Sequence, residues 1–403
     1  MDVVSPRAVS SPLKKIKDAY EDILYLKEDD RMIVDYAVSI YTAMLHPQLT
    51  ELLWGYIVGP ASSGKTEVLR IFYDWGKCMG VDEPTANAFQ SGYVSETGED
   101  MSLLAKLDGM LLFIKDMSVI MQSRPQEAAK IMSILRGAQD GNTSKASGTL
   151  GLKDYKASFG LLIATTDIVD QFTEQNQQLG ERLVSFRLNR THLDLDTRQF
   201  MLDKARELTV DKEVKRTRLR ILAHQQFEVI GKLCLEMSSR KEGSKVPVMT
   251  EKILRRVQQA ADMLAILRTC AVQGVAGQSE MGYRIVQQTF NLGHAHAIAD
   301  GRDYWNESDV ALVMRVLYDT MAKVRSRILR GMFRRGVHRP ADTIERIARN
   351  ARTVPDKVAE VFVQFIHSHV VEYTSDSGDV PLYRLSEEYY KKIEKCDLFS
   401  GAE

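Results

Sequence analysis

Gly59-Pro60-Ala61-Ser62-Ser63-Gly64-Lys65-Thr66 fits the pattern GxxxxGK[ST], and no other stretch constrains this chain as much. The apolar run LLWGYIVG leads into it, and Val68, Leu69, Phe72 and Trp75 follow at helical spacing, so the loop falls in a strand-to-helix turn. The glycines let backbone N–H groups turn inward around phosphates, and the helix N-terminus adds the positive end of its dipole. Lys65 then meets the β- and γ-phosphates while Thr66 offers a hydroxyl to Mg²⁺. The expected ligand is ATP with Mg²⁺, held by Gly59, Ser62, Ser63, Gly64, Lys65 and Thr66; the NKxD motif that reads guanine does not occur.

Around this loop the pattern is α/β. From 52 to 188, short apolar runs (LLWGYIVG, GMLLFIKD, FGLLIATT, LVSFRL) alternate with amphipathic stretches, which predicts a parallel sheet covered by helices on both faces. Residues 15–46 predict two helices leading into that core. The stretches 196–240 and 250–329 predict helices separated by the polar turn SSRKEGSKVP. Beyond them, a helix over 341–351, a Thr353-Val354-Pro355 break, a helix over 356–367 and two extended stretches flanking Ser375–Asp379 predict a small winged-helix unit. The expected divisions are 1–48 for the N-terminal tail and helices, 49–195 for the ATPase core, 196–325 for a helical lobe, and 326–403 for a basic linker and winged helix.

No apolar run approaches the roughly 18 residues that span a bilayer, and the first residues lack the apolar core of a secretory signal. The expectation is a cytoplasmic protein with no membrane contact. Lys plus Arg balance Asp plus Glu at 54 each, so net charge supplies no global pull on nucleic acid. The four cysteines are scattered without CxxC spacing and predict neither zinc site nor disulfide framework.

A phosphate-binding loop of this kind needs a carboxylate at the end of a neighbouring strand. Met110–Ile114 predicts that strand, and it ends in Lys115-Asp116-Met117, with one acid. Asp116 is either the metal-side acid or the catalytic base. With the first assignment Met117 stands where a base is expected; with the second, Lys115 stands where the metal-side aspartate is expected.

The order of elements resembles the AAA+ core of minichromosome-maintenance and superfamily 3 helicases and of related phage and mobile-element ATPases, over about residues 50–325. AAA+ ATPases usually carry an Asp-Glu pair where this chain has Lys115-Asp116. The resemblance implies a helical lid lobe and an inserted β-hairpin, for which the turn-formers Asp140–Gly148 and the segment to Lys156 are the match. It further implies that hairpin lysines meet a DNA backbone in a central pore, with Lys145 the best match and Lys153 and Lys156 its neighbours. Thr165 or Thr166, ending the strand Phe159–Ala164, takes the place of the first sensor. Arg182, in Leu179-Gly180-Glu181-Arg182-Leu183, takes that of a finger presented to the next subunit, with Arg187 the alternative. Arg284, after Gly282-Tyr283, takes that of the second-sensor arginine, with Arg256 and Arg268 also open. A finger acting in trans implies a homo-oligomeric ring, most plausibly a hexamer.

The stretch Lys323–Arg339 carries seven basic residues and no acidic one, a local charge asymmetry suited to phosphates. The leading expectation is an ATP-hydrolysing, ring-forming DNA motor, a helicase or helicase-like replication ATPase that a partner or loader would place on DNA. The rivals are a nucleotide-gated assembly switch, such as a helicase loader or transposition regulator, and a protein remodeler indifferent to DNA.

Overall fold

The structure, a computed structural model, describes residues 11–24, 28–91, 93, 95–97, 99–141, 143–147, 151–175, 182–188, 195–269, 282–334, 337–374 and 380–399. Among the described residues nine strands run in chain order: β1 (Trp54–Val58), β2 (Cys78–Val81), β3 (Leu111–Ile114), β4 (Thr143–Ser147), β5 (Gly151–Tyr155), β6 (Gly160–Thr165), β7 (Val184–Arg187), β8 (Val371–Thr374) and β9 (Leu382–Leu385). Five of them form one parallel sheet in the order β2-β3-β6-β1-β7, while β4–β5 and β8–β9 are separate antiparallel hairpins. β1, β3 and β6 are buried along their whole length, as their continuous apolar runs require of strands covered on both faces. β2 is the exception: Cys-Met-Gly-Val, half-exposed at the sheet edge, has no apolar run and no alternation to mark it.

The α/β expectation stands, and the two faces have distinct covers. On one face Leu112, Ile114, Leu161 and Ile163 meet helices Pro125–Gln139 and Ile168–Gln175 through Ile131, Leu135, Val169 and Phe172. The other face belongs to a larger core that joins Ile57, Leu162, Ala164 and Phe186 to Tyr36, Ile40, Val68, Phe72, Phe227, Leu292 and Val313. The sequence divisions at 48/49 and 195/196 therefore separate no cores. Helices Pro12–Tyr20 and Glu28–Leu45 are interior to this layer, with Tyr36 Oη donating to Val184 O at 2.8 Å. β1 passes so close to that helix that a Cβ on Gly55 would lie 1.9 Å from Tyr36 Oη and 2.6 Å from Ile40 Cδ1. Gly55→Ala is expected to cost about 3 kcal/mol, since neither neighbour can retreat from a packed core, and a urea melt would read it.

Helix Leu195–Ser238 runs 44 residues without a break. Its second half buries Leu219, Ala223, Phe227, Ile230, Cys234 and Met237 at spacings of three or four, the stripe expected of a helix lying on a core. Arg216 Nε donates to Glu67 at 3.0 Å and Arg220 Nη1 to Asp74 at 2.7 Å, fastening it to the helix that follows the phosphate-binding loop. At the far edge, β7 has no strand beyond it. Thr320 Oγ1 accepts from Ser185 N (2.9 Å) and Asp319 Oδ2 from Arg187 N (2.8 Å), so helix Glu307–Thr320 satisfies edge amides that a neighbouring strand would otherwise take.

Helices Ile344–Asn350 and Pro355–His367 precede the β8–β9 hairpin at the positions read from the sequence. A further helix, Glu387–Cys396, follows it, and a short antiparallel bridge joins Asp342 to Tyr383. The basic stretch 323–339 departs from the sequence expectation. Lys323 pairs with Asp167 (2.5 Å), Arg325 is buried and donates to Leu267 O and Thr269 O, Arg334 pairs with Asp342 (2.7 Å), and Arg339 pairs with Glu372 and Glu387. Lys323, Arg325, Arg334 and Arg339 are thus engaged within the chain, while Arg330 is exposed. Among the described residues, no helix is long and apolar enough to cross a membrane.

His294 and His296 of helix Tyr283–Ala299 are both buried. His294 accepts from Trp305 Nε1 at 3.0 Å. His296 sits in a buried charge chain, Lys17–Asp35–His296–Asp309–Arg302–Asp300, with Nδ1 2.6 Å from Asp309 and Nε2 3.8 Å from Asp35. Burial pushes His296 down, but bonding to Asp309 and Asp35 outweighs it and holds the ring at about 9. A pKa raised above the unfolded value stabilises the fold fully below about pH 6.5, and that contribution fades as pH rises toward 9. Folding stability is thus expected to fall by on the order of 3 kcal/mol between pH 6.5 and 9, with the slope flattened in His296→Gln. Chemical denaturation across that range would check it.

Candidate nucleotide site

The sheet topology positions the loop. From β1 the chain crosses to β2 at one edge, and after β6 it returns past β1 to β7 at the other, so β1 stands at a switch point where the crevice beyond the strand ends opens. Gly59–Gly64 occupies that crevice. Gly64 has φ 95° and caps helix Lys65–Leu69, a left-handed conformation that glycine adopts without strain. A Cβ on it would also meet Leu24 Cδ1 at 2.8 Å, so the turn after the first helix roofs the loop.

Lys65 is buried under the loop and donates through Nζ to Gly59 O (2.8 Å) and Pro60 O (2.9 Å), which uses two of its three donors. Burial pulls its pKa down, while Asp116 and Asp167 act the other way. Ser63 Oγ is buried with no hydrogen-bond partner among the described residues, and a Cβ on Gly59 would fall 2.8 Å from it. The loop thus carries an unsatisfied hydroxyl beside backbone that must stay bare. Thr66 is exposed at the first turn of its helix.

Strand register brings the other candidates level with the loop. Val58 pairs with Thr165, and Ile114 with Ile163, which puts Asp116 beside Thr165 and two strands from Gly59, with β6 between. Asp116 is exposed, and its Oδ1 accepts from Ser118 N at 2.8 Å. Lys115 turns to the β2 side, 2.5 Å from Asp82 and over the Tyr73 ring, so it takes no place facing the loop. Thr165 is fully buried with Oγ1 3.4 Å from Ser118 Oγ, while Thr166 is half-buried and donates its N–H to the same oxygen at 2.8 Å. Ser118, unmarked by the sequence reading, therefore ties the end of β3 to the end of β6. An Asp followed two residues later by Ser at the end of an apolar strand is a readable turn signal.

The arginines separate into two groups. Arg187, the alternative finger, lies at the loop end of β7 and is fully engaged within its own chain: Nη2 to Asp170 at 2.5 Å, Nε to Asp319 O at 2.6 Å. Like Arg182, it is buried. Arg182 lies at the other end of β7, where Val184 pairs with Gly55, and forms a bidentate pair with Asp140 at 2.5 and 2.9 Å. Arg284 is there too, 3.6 Å from Glu51 and 4.0 Å from Asp140. This corrects the second-sensor expectation: helix Tyr283–Ala299 packs along helix Glu28–Leu45 with its first turn at the amino ends of the strands, a sheet's length from Lys65. Arg256 is no substitute, since it donates to Cys396 O and fastens the final helix, and Arg268 shares a small polar cavity with Tyr56, Glu174 and Arg187.

β4 and β5 form the expected inserted hairpin, with Lys145 directly opposite Lys153. Lys153 pairs with Asp100 at 2.7 Å and Lys156 is exposed; the Lys145 side chain lies outside the described residues.

No protein-family model matches the chain, and no curated protein matches its sequence. Among the described residues no group of three acidic, His or Cys side chains gathers as a metal site. Mg²⁺ bound with nucleotide asks for less, one or two protein oxygens alongside phosphates and water, and Thr66 and Asp116 fit that requirement.

Proposed function

We propose that the chain is an AAA+ ATPase that works as a ring-forming DNA motor, a helicase or helicase-like replication ATPase of a phage or mobile element. One observation carries the reading: Lys65, Asp116 and Thr165 meet at one end of the sheet, whereas Arg182 sits at the other. A guanidinium so placed reaches no phosphate in its own chain, so it serves the site of an adjoining subunit in a closed, head-to-tail ring. The helices from 195 to 332 then form the lid lobe, and residues 344–396 the winged-helix unit.

In that site the loop amides and Lys65 hold the phosphates, and Thr66, with Asp116 where it serves as the metal-side acid, would hold Mg²⁺, which would supply screening of phosphate charge. Otherwise Asp116, on β3 with β6 between it and the loop strand, serves as the base that orients the attacking water, aided by Thr165 or Thr166. Arg182 of the adjoining subunit neutralises charge developing on the γ-phosphate. Lys145, Lys153 and Lys156 follow the DNA backbone from the hairpin, most plausibly along a single strand in the pore.

Asp116 already commits an oxygen to Ser118 N, and no second acid replaces Lys115, which favours slow turnover and supports a nucleotide-gated assembly switch as the second reading. ATPase rate with and without single-stranded DNA, at protein concentrations spanning assembly, separates the two. The motor predicts turnover that rises with assembly and with DNA; ATP-dependent assembly on DNA without turnover leaves the switch. Turnover indifferent to DNA and to Lys145→Ala points to the protein remodeler.

A further inference from the structure

Asp140 has no part in the site described above, yet it stands where the finger and the hairpin meet. It directly follows helix Pro125–Gln139 and is three residues before β4. It accepts from both Arg182 Nη1 and Nη2, and Arg284 lies 4.0 Å from the same Oδ1. The Arg182 side chain is only 10% exposed, and its buried Nε has no hydrogen-bond partner among the described residues. A guanidinium in this pose is withdrawn and incompletely satisfied. Asp140 itself is 54% exposed, so water screens the pair and keeps it breakable.

The junction behind Asp140 is tight. A Cβ on Gly137 would lie 2.9 Å from Thr143 Oγ1, the first side chain of β4, and that oxygen accepts from Gln90 Nε2 at 3.1 Å. Gln288 Nε2 donates to Arg182 O at 2.8 Å, fixing the finger's backbone while leaving its side chain to change partner. A carboxylate and a phosphate offer the same bidentate oxygen edge to a guanidinium, so they compete for it.

Building on the reading above, we propose that Asp140 is a positioning residue that holds Arg182 withdrawn until the nucleotide phosphates of an adjoining subunit take it. Release of the carboxylate at the foot of β4 then carries that event to the DNA-contacting hairpin. Arg284, left beside the vacated Asp140, replaces Arg182 as its partner.

The test compares the full chain with Asp140→Asn and Asp140→Glu at saturating ATP and above the assembly concentration, with and without single-stranded DNA. Asp140→Asn is expected to raise the DNA-free kcat about fivefold and bring the DNA stimulation ratio to near one. Asp140→Glu, which keeps the charge, is expected to restore most of that ratio. A purely structural ion pair would instead lower turnover and thermal stability together. Turnover that needs Arg182 but is unchanged or lowered in Asp140→Asn overturns this inference alone. A parent chain without ATP turnover overturns the motor reading and this inference with it.

Discussion

Lys65→Ala is expected to lower ATP turnover by at least about 10³-fold, the loss typical when a preorganised charge at a phosphoryl-transfer site is removed. The ammonium lies beneath the loop with two donors on Gly59 O and Pro60 O, and its only nearby carboxylates, Asp116 and Asp167, sit across the crevice. No other described cation is held by the loop. Truncation leaves two carbonyls that water can reach, so the thermal midpoint is expected to move by only a few degrees. Equilibrium binding of a fluorescent ATP analogue, measured beside steady-state turnover, separates a lost substrate from a lost transition-state contact. Turnover within threefold of the parent would refute the assignment of the loop.

Much of this site is legible in the sequence because its parts are local. The strand before Gly59, the helix after Lys65 and the acid closing Met110–Ile114 are each read within ten residues, and β1, β3 and β6 announce themselves as unbroken apolar runs. β2 is not legible, since Cys-Met-Gly-Val at a half-exposed edge carries neither an apolar run nor alternation.

What depends on pairing across the chain stays hidden. Whether Lys115 or Asp116 faces the loop is decided by side-chain alternation at the strand's last residue and by Asp82, which draws Lys115 away. The basic residues of 323–339 look open in sequence, but Asp167, 156 residues away, pairs with Lys323, Asp342 with Arg334, and Glu372 and Glu387 with Arg339. Arg284 fails for the same reason: the helical pattern identifies its helix, but only packing against helix Glu28–Leu45 reveals which end of the sheet its first turn reaches.

Arg182→Ala is expected to lower turnover of the assembled protein by about 10³-fold or more, the scale associated with a finger supplied to a phosphoryl-transfer site. The variant has a second expected behaviour that a merely structural arginine would not show. Mixed with Lys65→Ala subunits, it contributes intact loops while the other contributes intact fingers. If the subunits assemble at random in equal amounts, about one interface in four pairs an intact loop with an intact finger, so turnover should return to about a quarter of the parent rate. The double variant carrying both changes on one chain, mixed with either single variant, creates no such interface and should recover nothing. Arg182→Lys should stay close to Arg182→Ala, because a single ammonium cannot reproduce the two parallel donors that the guanidinium now gives to Asp140. Recovery absent at every mixing ratio, with assembly intact, would place the action of Arg182 within its own chain. Its position at the amino end of β7 argues against that outcome, since no phosphate held by Lys65 of the same subunit lies within its reach.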